Sequence, residues 1–346
     1  MRLVDIAKKA NVSLGTVDRV VNGRGKVATK TEKVIREIIN EFGYVPNLRA
    51  RSLSSKRKIN FAVLVPKPQG EDYWYKILSG IQTAEKAIKE FGINVSEFLY
   101  DQDDDILFTE LASQILATRF DGVLIAPLFT KEARSLVKSL EKENIPYVFI
   151  DSFIEKTNPL CSICLNDFQS GVLAAKLLNY SLFNDDEILA ISNLKYAEHF
   201  ELIQDRSNGF QSFFEAKNHS DRIIHSFEII NPKYEKLASM LEEKLVQFPK
   251  IKGIFIDNSK AHWVARFLNE NSILNMKLVG FDLIDQNIRY LQNGTIEFIL
   301  FDYAEKQGEM GIQILFDHVL KKKETTRQIN MPIHLVTKEN LQGFLT

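Results

Sequence analysis

The sequence predicts an all-α head with a helix-turn-helix motif, followed by an α/β body of two doubly wound lobes with parallel sheets. Three observations indicate this fold class. The chain has 346 residues, enough for two or three domains. Its formal net charge is only −1, yet residues 1–58 hold 14 Lys and Arg against five Asp and Glu, so they carry +9 and the remainder −10. From residue 59 onward, continuous apolar strands alternate with helices, which is typical of parallel sheets covered on both faces.

The composition is typical of a globular chain, with 45% apolar and 26% charged residues. No stretch approaches the roughly 18 consecutive apolar residues of a membrane helix, and Arg2 and Asp5 interrupt any signal-peptide core. Only two cysteines are present, which favours a reducing compartment, so we expect a cytoplasmic protein without a membrane partner. The basic segment joined to an acidic one suggests a polyanionic partner for the first.

Three short helices are predicted in the head. Residues 4–10 form an amphipathic helix, and Asn11 follows as a residue that tolerates the left-handed conformation of a tight turn. Ser13 can cap a second helix that runs to about Asn22. A third helix is predicted from Thr29 as its cap, with Glu32 completing a capping box.

The spacing of Ala7, Asn11 and Val17 matches a helix-turn-helix motif. A small residue is needed where the two helices cross, a turn residue between them, and an apolar residue that packs against both. Any three-helix bundle can imitate this spacing. The charge of +9 favours DNA binding, because neutralising phosphates requires basic side chains nearby.

Three segments of the head match one family: V-D-I-A from Val4, V-S-x-x-T-V-x-R-V-V-N from Val12, and G-Y-x-P-N from Gly43. They resemble the DNA-binding head of the LacI/GalR family of bacterial repressors. The resemblance implies that the second helix lies in the major groove and presents to the base edges Leu14, Gly15 and Arg19. It also implies phosphate contacts from Ser13, Thr16, Asn22 and Thr31.

Residues 46–58 are basic and polar, with two isolated leucines. One interpretation is a flexible linker. The resemblance implies instead a short hinge helix that orders on DNA and pairs with its mate, with Leu53 as a wedge in the minor groove, Ala50 beside it and Asn47 also at the DNA. The serines at 52, 54 and 55 disfavour a stable helix here without DNA.

In the body, residues 59–65 are predicted to form the first strand and residues 73–91 the first helix. Further strands are expected at about 93–100, 121–126, 147–150, 160–166, 187–193, 223–230, 251–257, 277–281 and 296–301. No glycine-rich phosphate loop follows the first strand, which disfavours a nucleotide enzyme.

We therefore predict a DNA-binding domain at 1–45, a hinge at 46–58, and an effector-binding and dimerisation domain at 59–346. The first crossover between lobes is placed at Asn158-Pro159. The N-lobe then spans about 59–158 and 300–323, and the C-lobe about 159–299 and 324–346. This body resembles the effector domain of the same family, which is akin to type I periplasmic sugar-binding proteins.

Ligands of open α/β sheets bind at the carboxyl ends of the strands, so the residues that follow each strand are the candidates. Arg206 lies in an Arg-x-x-Gly-aromatic motif that the resemblance associates with ligand oxygens. The aromatic candidates are Tyr73, Trp74, Phe129, Phe153 and Phe301. The polar candidates are Asp167, Arg206, Asp257, Asn258 and Asp282. Each of them could instead be a helix cap or a core side chain, and together they predict an unusually aromatic pocket.

Cys161 and Cys164 are interpreted as structural thiols, because a zinc site requires four ligands and no second cysteine pair exists. No metal and no cofactor are expected. The sequence thus predicts a homodimeric transcriptional regulator that binds a pseudo-palindromic DNA duplex under the control of a small molecule, a sugar or sugar derivative. One alternative is a solute-binding protein, and another is a sugar-metabolising enzyme or kinase with an appended DNA-binding head.

Overall fold

The computed structural model of the chain describes residues 2–22, 25–42, 58–70, 72–194, 204–216, 221–230 and 233–345. The chain divides into two compact units, Met1–Arg57 and Lys58–Thr346. No helix within the described ranges is long and apolar enough to cross a lipid bilayer.

The first unit contains three helices: α1 (Leu3–Lys9), α2 (Leu14–Asn22) and α3 (Thr29–Glu41). They pack around one small apolar core, to which each helix contributes. Its buried members are Ile6, Ala7, Val17, Val20 and Ile35. The predicted helix-turn-helix packing of Ala7 and Val17 is confirmed, since both side chains lie in this core.

The turn between α1 and α2 follows the local chemistry of its residues. Asn11 adopts a left-handed conformation with φ of 50°, which few residues other than glycine tolerate. The Ser13 hydroxyl accepts a hydrogen bond from the backbone N–H of Thr16 at 3.1 Å and so caps α2. Both predictions for this turn are confirmed.

The prediction of a capping box at the start of α3 is wrong. The helix already includes Thr29, and its N-cap is Ala28, which makes no side-chain cap. The Glu32 carboxylate accepts from Arg36 at 2.7 Å, one turn further along the helix, instead of reaching back. At the start of α1 only one half of such a box is present: the Arg2 backbone N–H donates to the Asp5 carboxylate at 2.9 Å, whereas the Arg2 side chain has no acceptor.

The second unit contains twelve strands and nine helices within the described residues. The strands are β1 (Ile59–Pro66), β2 (Ile93–Tyr100), β3 (Gly122–Ile125), β4 (Tyr147–Asp151), β5 (Cys161–Leu165), β6 (Glu187–Leu194), β7 (Ile224–Ile230), β8 (Ile251–Ile256), β9 (Lys277–Phe281), β10 (Phe298–Phe301), β11 (Gln328–Met331) and β12 (His334–Val336). The helices are α4 (Tyr73–Ile88), α5 (Asp105–Thr118), α6 (Thr130–Lys142), α7 (Asp167–Ser181), α8 (Gln204–Glu215), α9 (Tyr234–Gln247), α10 (Ala261–Glu270), α11 (Asp285–Gln292) and α12 (Ala304–Lys321).

The strands form two six-stranded sheets, one in each lobe. The first has the order β11-β5-β4-β3-β1-β2 and is parallel throughout. The second has the order β12-β10-β9-β8-β6-β7 and is parallel except for β12, which pairs antiparallel with β10. The predicted class of two parallel-sheet α/β lobes is confirmed. In both sheets the strand order reverses beside the lobe's first strand, which opens a crevice at the carboxyl ends.

Two of the predicted boundaries between the lobes are wrong, whereas the one at about residue 300 agrees with the end of β10 at Phe301. Strand β5 pairs with β4 in the first sheet, with Cys161 opposite Val148, so the chain leaves the first lobe after Leu165 and not at Asn158-Pro159. Strand β11 also belongs to the first sheet, where it pairs with β5. The chain therefore crosses between the lobes three times: after β5, after β10, and between β11 and β12.

Cys161 and Cys164 are both free thiols, and both are buried in β5. Burial raises the pKa of Cys161 to about 11 and that of Cys164 to about 12, so neither is a reactive thiolate near neutral pH. Both faces of this strand are covered, which explains how residues three apart on one strand are both buried.

Candidate functional site

The exposed face of α2 is the candidate DNA-reading surface of the head. Leu14 is 50% exposed, and Gly15 and Arg19 are exposed beside it. Val17 and Val20, on the opposite face, are buried. All three residues predicted to read base edges therefore lie on the free face of the helix.

The residues predicted to contact phosphates lie at different places in or next to α2 and α3. The Ser13 and Thr16 hydroxyls lie 2.9 Å apart at the start of α2, and Thr31 is half-buried in the first turn of α3. Asn22 is the last residue of α2. The hinge predictions for Asn47, Ala50 and Leu53 lie outside the described residues.

A cavity of about 320 Å³ lies between the two lobes of the body, at the carboxyl ends of both sheets. Six of the ten predicted effector-binding residues line it. They are Tyr73, Trp74, Asp167, Arg206, Asn258 and Asp282. The volume is at the lower end of the range of about 300–1,000 Å³ that ligand pockets have, which suits a small ligand.

The predicted aromatic candidates Phe129, Phe153 and Phe301 do not line the cavity. Phe129 is buried in the core of the first lobe, and Phe301 in that of the second. Phe153 is 37% exposed and lies outside the cavity. Neighbouring residues of a strand point in opposite directions, so at the end of β10 the cavity receives Asp302 instead of Phe301.

The cavity is therefore less aromatic than predicted and is acidic, although Tyr73 and Trp74 line it as predicted and Trp263 adds a further ring. Its walls carry five carboxylates against one arginine and one lysine. The carboxylates are Asp72, Asp151, Asp167, Asp282 and Asp302, and the cations are Arg206 and Lys260. Asp151 and Asp282 adopt left-handed conformations at corresponding strand ends, with φ of 69° and 68°. Such backbone geometry is often found at functional sites.

Arg206 is held in place by groups of the second lobe. Its guanidinium forks onto the carboxylate of Asp167 and also donates to the Asp257 carbonyl oxygen at 2.7 Å. Its Cζ atom lies 3.9 Å from the centre of the Phe281 ring. Asp257 itself is buried and does not line the cavity, so it supports Arg206 instead of facing a ligand. Burial lowers the pKa of Arg206, but Asp167 and Asp282 more than offset this, and the pKa lies above its usual value.

Two glycines bring Arg206 to Asp167. A Cβ atom on Gly171 in α7 would lie 1.9 Å from the Arg206 carbonyl oxygen, and one on Gly209 in α8 would lie 2.0 Å from the Phe168 carbonyl oxygen. No other residue type permits so close a crossing of two helix backbones. The glycine of the Arg-x-x-Gly-aromatic motif is thus required by this crossing.

Gln307 joins three walls of the cavity, although it was not predicted from the sequence. Its amide nitrogen donates to Asp302 at 2.5 Å and to the Tyr73 hydroxyl at 3.1 Å. Its amide oxygen accepts from the backbone N–H of Asp151 at 2.7 Å. The side chain is 1% exposed, so its amide is committed to these three partners.

A second buried amide, Asn287, shapes the opposite wall. It donates to the carbonyl oxygens of Ser259 and Asp282 and accepts from the backbone N–H of His262 at 2.8 Å. Burial lowers the pKa of His262, so its ring is neutral near pH 7. The Lys260 ammonium lies 4.4 Å from the ring of Trp263.

The remaining lining residues were not among the predicted site residues. They are Gln69, Asp72, Gln102, Asp151, Leu165, Ser259, Lys260, His262, Trp263, Ile284, Gln286, Asp302 and Gln307. Asp151 and Leu165 are the last residues of β4 and β5, and all the others except Gln307 lie in the loop or the first helical turn after a strand. A window that starts at the last strand residue and extends into the next helix would therefore have included them. Gln307 lies within α12, and the sequence around it gives no indication that its side chain faces the cavity. The walls combine hydrogen-bond acceptors, amides and indole rings, which together suit a ligand rich in hydroxyl groups.

Comparison with known families matches two parts of the chain. Residues 61–323 match the family described as periplasmic binding protein domain. Residues 2–47 match the family described as bacterial regulatory proteins, lacI family. The second match confirms the resemblance found in the head.

Two curated relatives illustrate the range of similarity. The ribose operon repressor of Halalkalibacterium halodurans is 25% identical over 345 residues, which is 98% of this chain and 96% of that protein. Catabolite control protein A of Priestia megaterium is 31% identical over 176 residues, about half of each chain (51%). Among solved structures, that of a putative LacI transcriptional regulator from Bacteroides fragilis superposes with a TM-score of 0.78 at 28% identity and covers 83% of this chain and 99% of that one.

Proposed function

The chain belongs to the periplasmic binding protein domain family and carries a head of the lacI family of bacterial regulatory proteins. On this premise we propose that it is a cytoplasmic, DNA-binding transcriptional repressor whose operator affinity is controlled by a sugar or sugar derivative. One observation carries the proposal. The same chain presents an exposed α2 face on a basic head and an enclosed polar cavity between two lobes of its body.

The DNA-binding half of the proposal rests on α2. Arg19 is exposed and can donate two parallel hydrogen bonds to guanine, while Leu14 offers an apolar contact to a thymine methyl group. Gly15 has no side chain, so it permits close approach without reading a base. Ser13, Thr16, Asn22 and Thr31 would fix the register through phosphates.

The control half rests on the position of the cavity. Arg206 and Asp167 face it from the second lobe, and Tyr73, Trp74 and Gln307 face it from the first. A ligand that contacts both lobes favours the arrangement in which they are close together, and only differential affinity for two arrangements can shift such an equilibrium. About 1–3 kcal/mol of coupling is enough for a regulator.

The proposal includes a homodimer and a hinge that transmits this change to the head. Two heads related by a two-fold axis require a pseudo-palindromic operator. Asn47, Ala50 and Leu53 would then contact the DNA through hinge helices that order on it, with Leu53 as the minor-groove wedge. The named relatives are transcription regulators, and the proposal assigns the cavity binding alone, without catalysis.

The proposal is tested by selecting duplexes from a random DNA pool with the full chain and titrating the selected duplex at one salt concentration. We expect a pseudo-palindromic sequence. Arg19→Ala should weaken its binding by about 5-fold to 100-fold, because each good bidentate base contact contributes roughly 1–3 kcal/mol of discrimination. Binding to an unselected duplex should change far less.

Arg36→Ala is the matched control. It removes the same single charge from the head, but Arg36 is exposed on α3 and pairs with Glu32 at 2.7 Å. An equal loss on both duplexes for both variants would mean that α2 does not read bases, and the failure to enrich any sequence would reject the regulator itself.

A further inference from the structure

The charge of the cavity is not balanced by its own walls. Two of its five carboxylates have clear structural partners. Asp72 caps α4 by accepting from the backbone N–H groups of Gln69 and Tyr75, and Asp167 pairs with Arg206. Asp151, Asp282 and Asp302 remain. The chemistry of the ligand depends on what compensates these three side chains.

No arginine or lysine of the described ranges forms an ion pair with Asp151, Asp282 or Asp302. Asp302 is 6% exposed, and its partner is the neutral amide of Gln307 at 2.5 Å. The neighbouring hydroxyl of Tyr73 is neutral, and it lowers the pKa of Asp151 without cancelling the rise caused by burial. The lysine of the cavity, Lys260, lies against an indole ring instead.

The pKa values of these three carboxyl groups reflect the lack of a paired counter-charge. Burial, together with the neighbouring carboxylates, raises the pKa of Asp151 and of Asp282 to about 7, and burial raises that of Asp302 to about 6. Arg206 opposes the shift in all three without cancelling it. Among the described residues, the other charged or titratable groups that interact with them are Tyr73, Lys76, Tyr100, Cys164 and Asp167.

The three carboxylates are not arranged as a metal site: in the part of the chain that the structure describes, no group of three His, Cys, Asp or Glu side chains is placed to hold a metal ion. Asp151 and Asp302 are nevertheless neighbours, since both are bound by the amide of Gln307. A cationic group on the ligand can therefore supply the charge that the described residues do not. Such a ligand also has to satisfy Arg206 and the amides, which calls for hydroxyl groups.

Two indole rings add a second, independent contribution. Trp74 and Trp263 line the same cavity, one from each lobe. The face of an indole attracts cations, as the Lys260 ammonium on Trp263 shows, and it also offers an apolar surface for the C–H face of a sugar ring. A ligand with a cationic group and a sugar ring can therefore contact all four kinds of lining group: carboxylate, guanidinium, amide and indole.

We propose that the cavity selects a polyhydroxylated ligand with a protonated amine, an amino sugar in its chemistry, whose ammonium group lies against Asp151 and Asp302. This inference rests on the proposed function, because it names the ligand class of the same site. Arg206 and Asp167 then bind hydroxyl groups on the opposite side of the ligand. A neutral sugar of the same shape would leave the buried Asp302 and the half-buried Asp151 without a counter-charge.

The test uses matched pairs of ligands: D-glucose and D-glucosamine, D-galactose and D-galactosamine, and D-mannose and D-mannosamine. Dissociation constants are measured by calorimetry with the full chain at pH 7.5. In at least one pair the amine should bind ~10-fold tighter than the neutral sugar, since a hydrogen bond between two charged groups is about twice as strong as one between neutral groups.

The preference for the amine should also depend on pH. Below the pKa values of about 6 and about 7 the carboxyls take up protons and lose their attraction for an ammonium group. The amine-to-neutral affinity ratio should therefore fall about 10-fold or more between pH 7.5 and pH 5, while the affinity for the neutral sugar changes little. This measurement needs no variant, so it stays decisive if a substitution prevents folding.

Asp302→Asn separates charge from shape. It keeps an oxygen that can accept from Gln307 but removes the charge, so the amine-to-neutral affinity ratio, which cancels any change common to both ligands, should fall at least ~5-fold. Asp285→Asn is the matched control, because Asp285 is exposed at the start of α11 and does not line the cavity. That control should leave the ratio unchanged.

The outcomes distinguish the two levels of the proposal. Neutral sugars that bind as tightly as their amines, and that release the selected duplex, overturn the amine assignment and leave the repressor intact. An amine that binds preferentially without changing duplex affinity supports the ligand class and overturns the proposed control. If no member of any pair binds, the assignment of an amino sugar and the proposed control by a sugar are both wrong.

Discussion

Gln307 shows how much of the cavity depends on a single side chain. Its amide is the only group described that connects Tyr73, Asp151 and Asp302, which come from α4, from the end of β4 and from the crossover after β10. Both of its N–H groups and its oxygen have partners, so the amide has one orientation that satisfies all three neighbours.

Replacing this amide by an apolar side chain of similar length tests its role. Gln307→Met should lower the free energy of unfolding by roughly 1–3 kcal/mol, because it leaves buried polar groups of Asp151 and Asp302 without partners. The measurement is urea unfolding of the ligand-free chain. Gln313→Met is the control, since Gln313 is exposed on the same helix and pairs only with Asp317. Equal stability of the two variants would contradict the positioning role.

Sequence reasoning was more reliable for Arg206 than for its neighbours, for a physical reason. The Arg-x-x-Gly-aromatic motif records several requirements at once, namely the fork onto Asp167, the backbone crossing at Gly209 and the packing of Phe210. Asp302 and Phe301 carry no such signal. Either can face the cavity from a strand end, and only the phase of β10 decides between them.

At the scale of helices, the two lobes use the same device. In the first lobe Gly80 of α4 meets the Glu305 carbonyl oxygen, where an added Cβ would lie 1.8 Å away, and Gly308 of α12 lies against Ile77. In the second lobe Gly171 and Gly209 make the corresponding crossing of α7 and α8. Each crossing fixes the helix that carries a cavity residue, Gln307 in one lobe and Arg206 in the other.

A methyl group at such a crossing should therefore disturb the site from a distance. Gly171→Ala should destabilise the chain by about 1–3 kcal/mol or more, because backbone atoms must move apart to admit the Cβ. The displacement of α8 should also weaken ligand binding, since it separates Arg206 from Asp167. Urea unfolding and calorimetry with the best-binding sugar measure the two effects.

Gly343→Ala provides the comparison, because no atom lies within 4 Å of a Cβ added there. It should leave both stability and ligand binding close to those of the wild type. A Gly171→Ala chain that binds its ligand normally would show that the crossing does not position Arg206.

The strands show which part of the fold a sequence can predict. All ten predicted strands are present, because each contains enough apolar residues within a short stretch to be recognised from the local sequence. Strands β11 and β12 are short and half-exposed at sheet edges, so they carry little pattern. Two of the lobe boundaries were wrong for the same reason, since β11 returns to β5 across more than 160 residues of chain, and no local signal records such a pairing.

At the scale of the whole molecule, the division of charge parallels the division into units. The near-neutral total hides a basic part of +9, residues 1–58, and an acidic part of −10, residues 59–346. Duplex DNA attracts the first and repels the second, so long-range electrostatics favours encounters through the head alone. The acidity of the body then has two consequences: its buried part shapes the ligand site, and its surface opposes contact with DNA.

This division of charge predicts that DNA binding and ligand binding can be separated by removing the head. Residues 59–346 expressed alone should bind no duplex measurably at 0.15 M salt, whereas the full chain should bind both selected and unselected duplexes, with an affinity that falls steeply as salt is raised. The same fragment should bind its sugar ligand as tightly as the full chain does, because every lining residue of the cavity lies within it. Titrations of DNA and of ligand on the two proteins measure both expectations. A fragment that binds duplex DNA tightly would place part of the DNA interface on the body, and the acidic surface would then need another explanation.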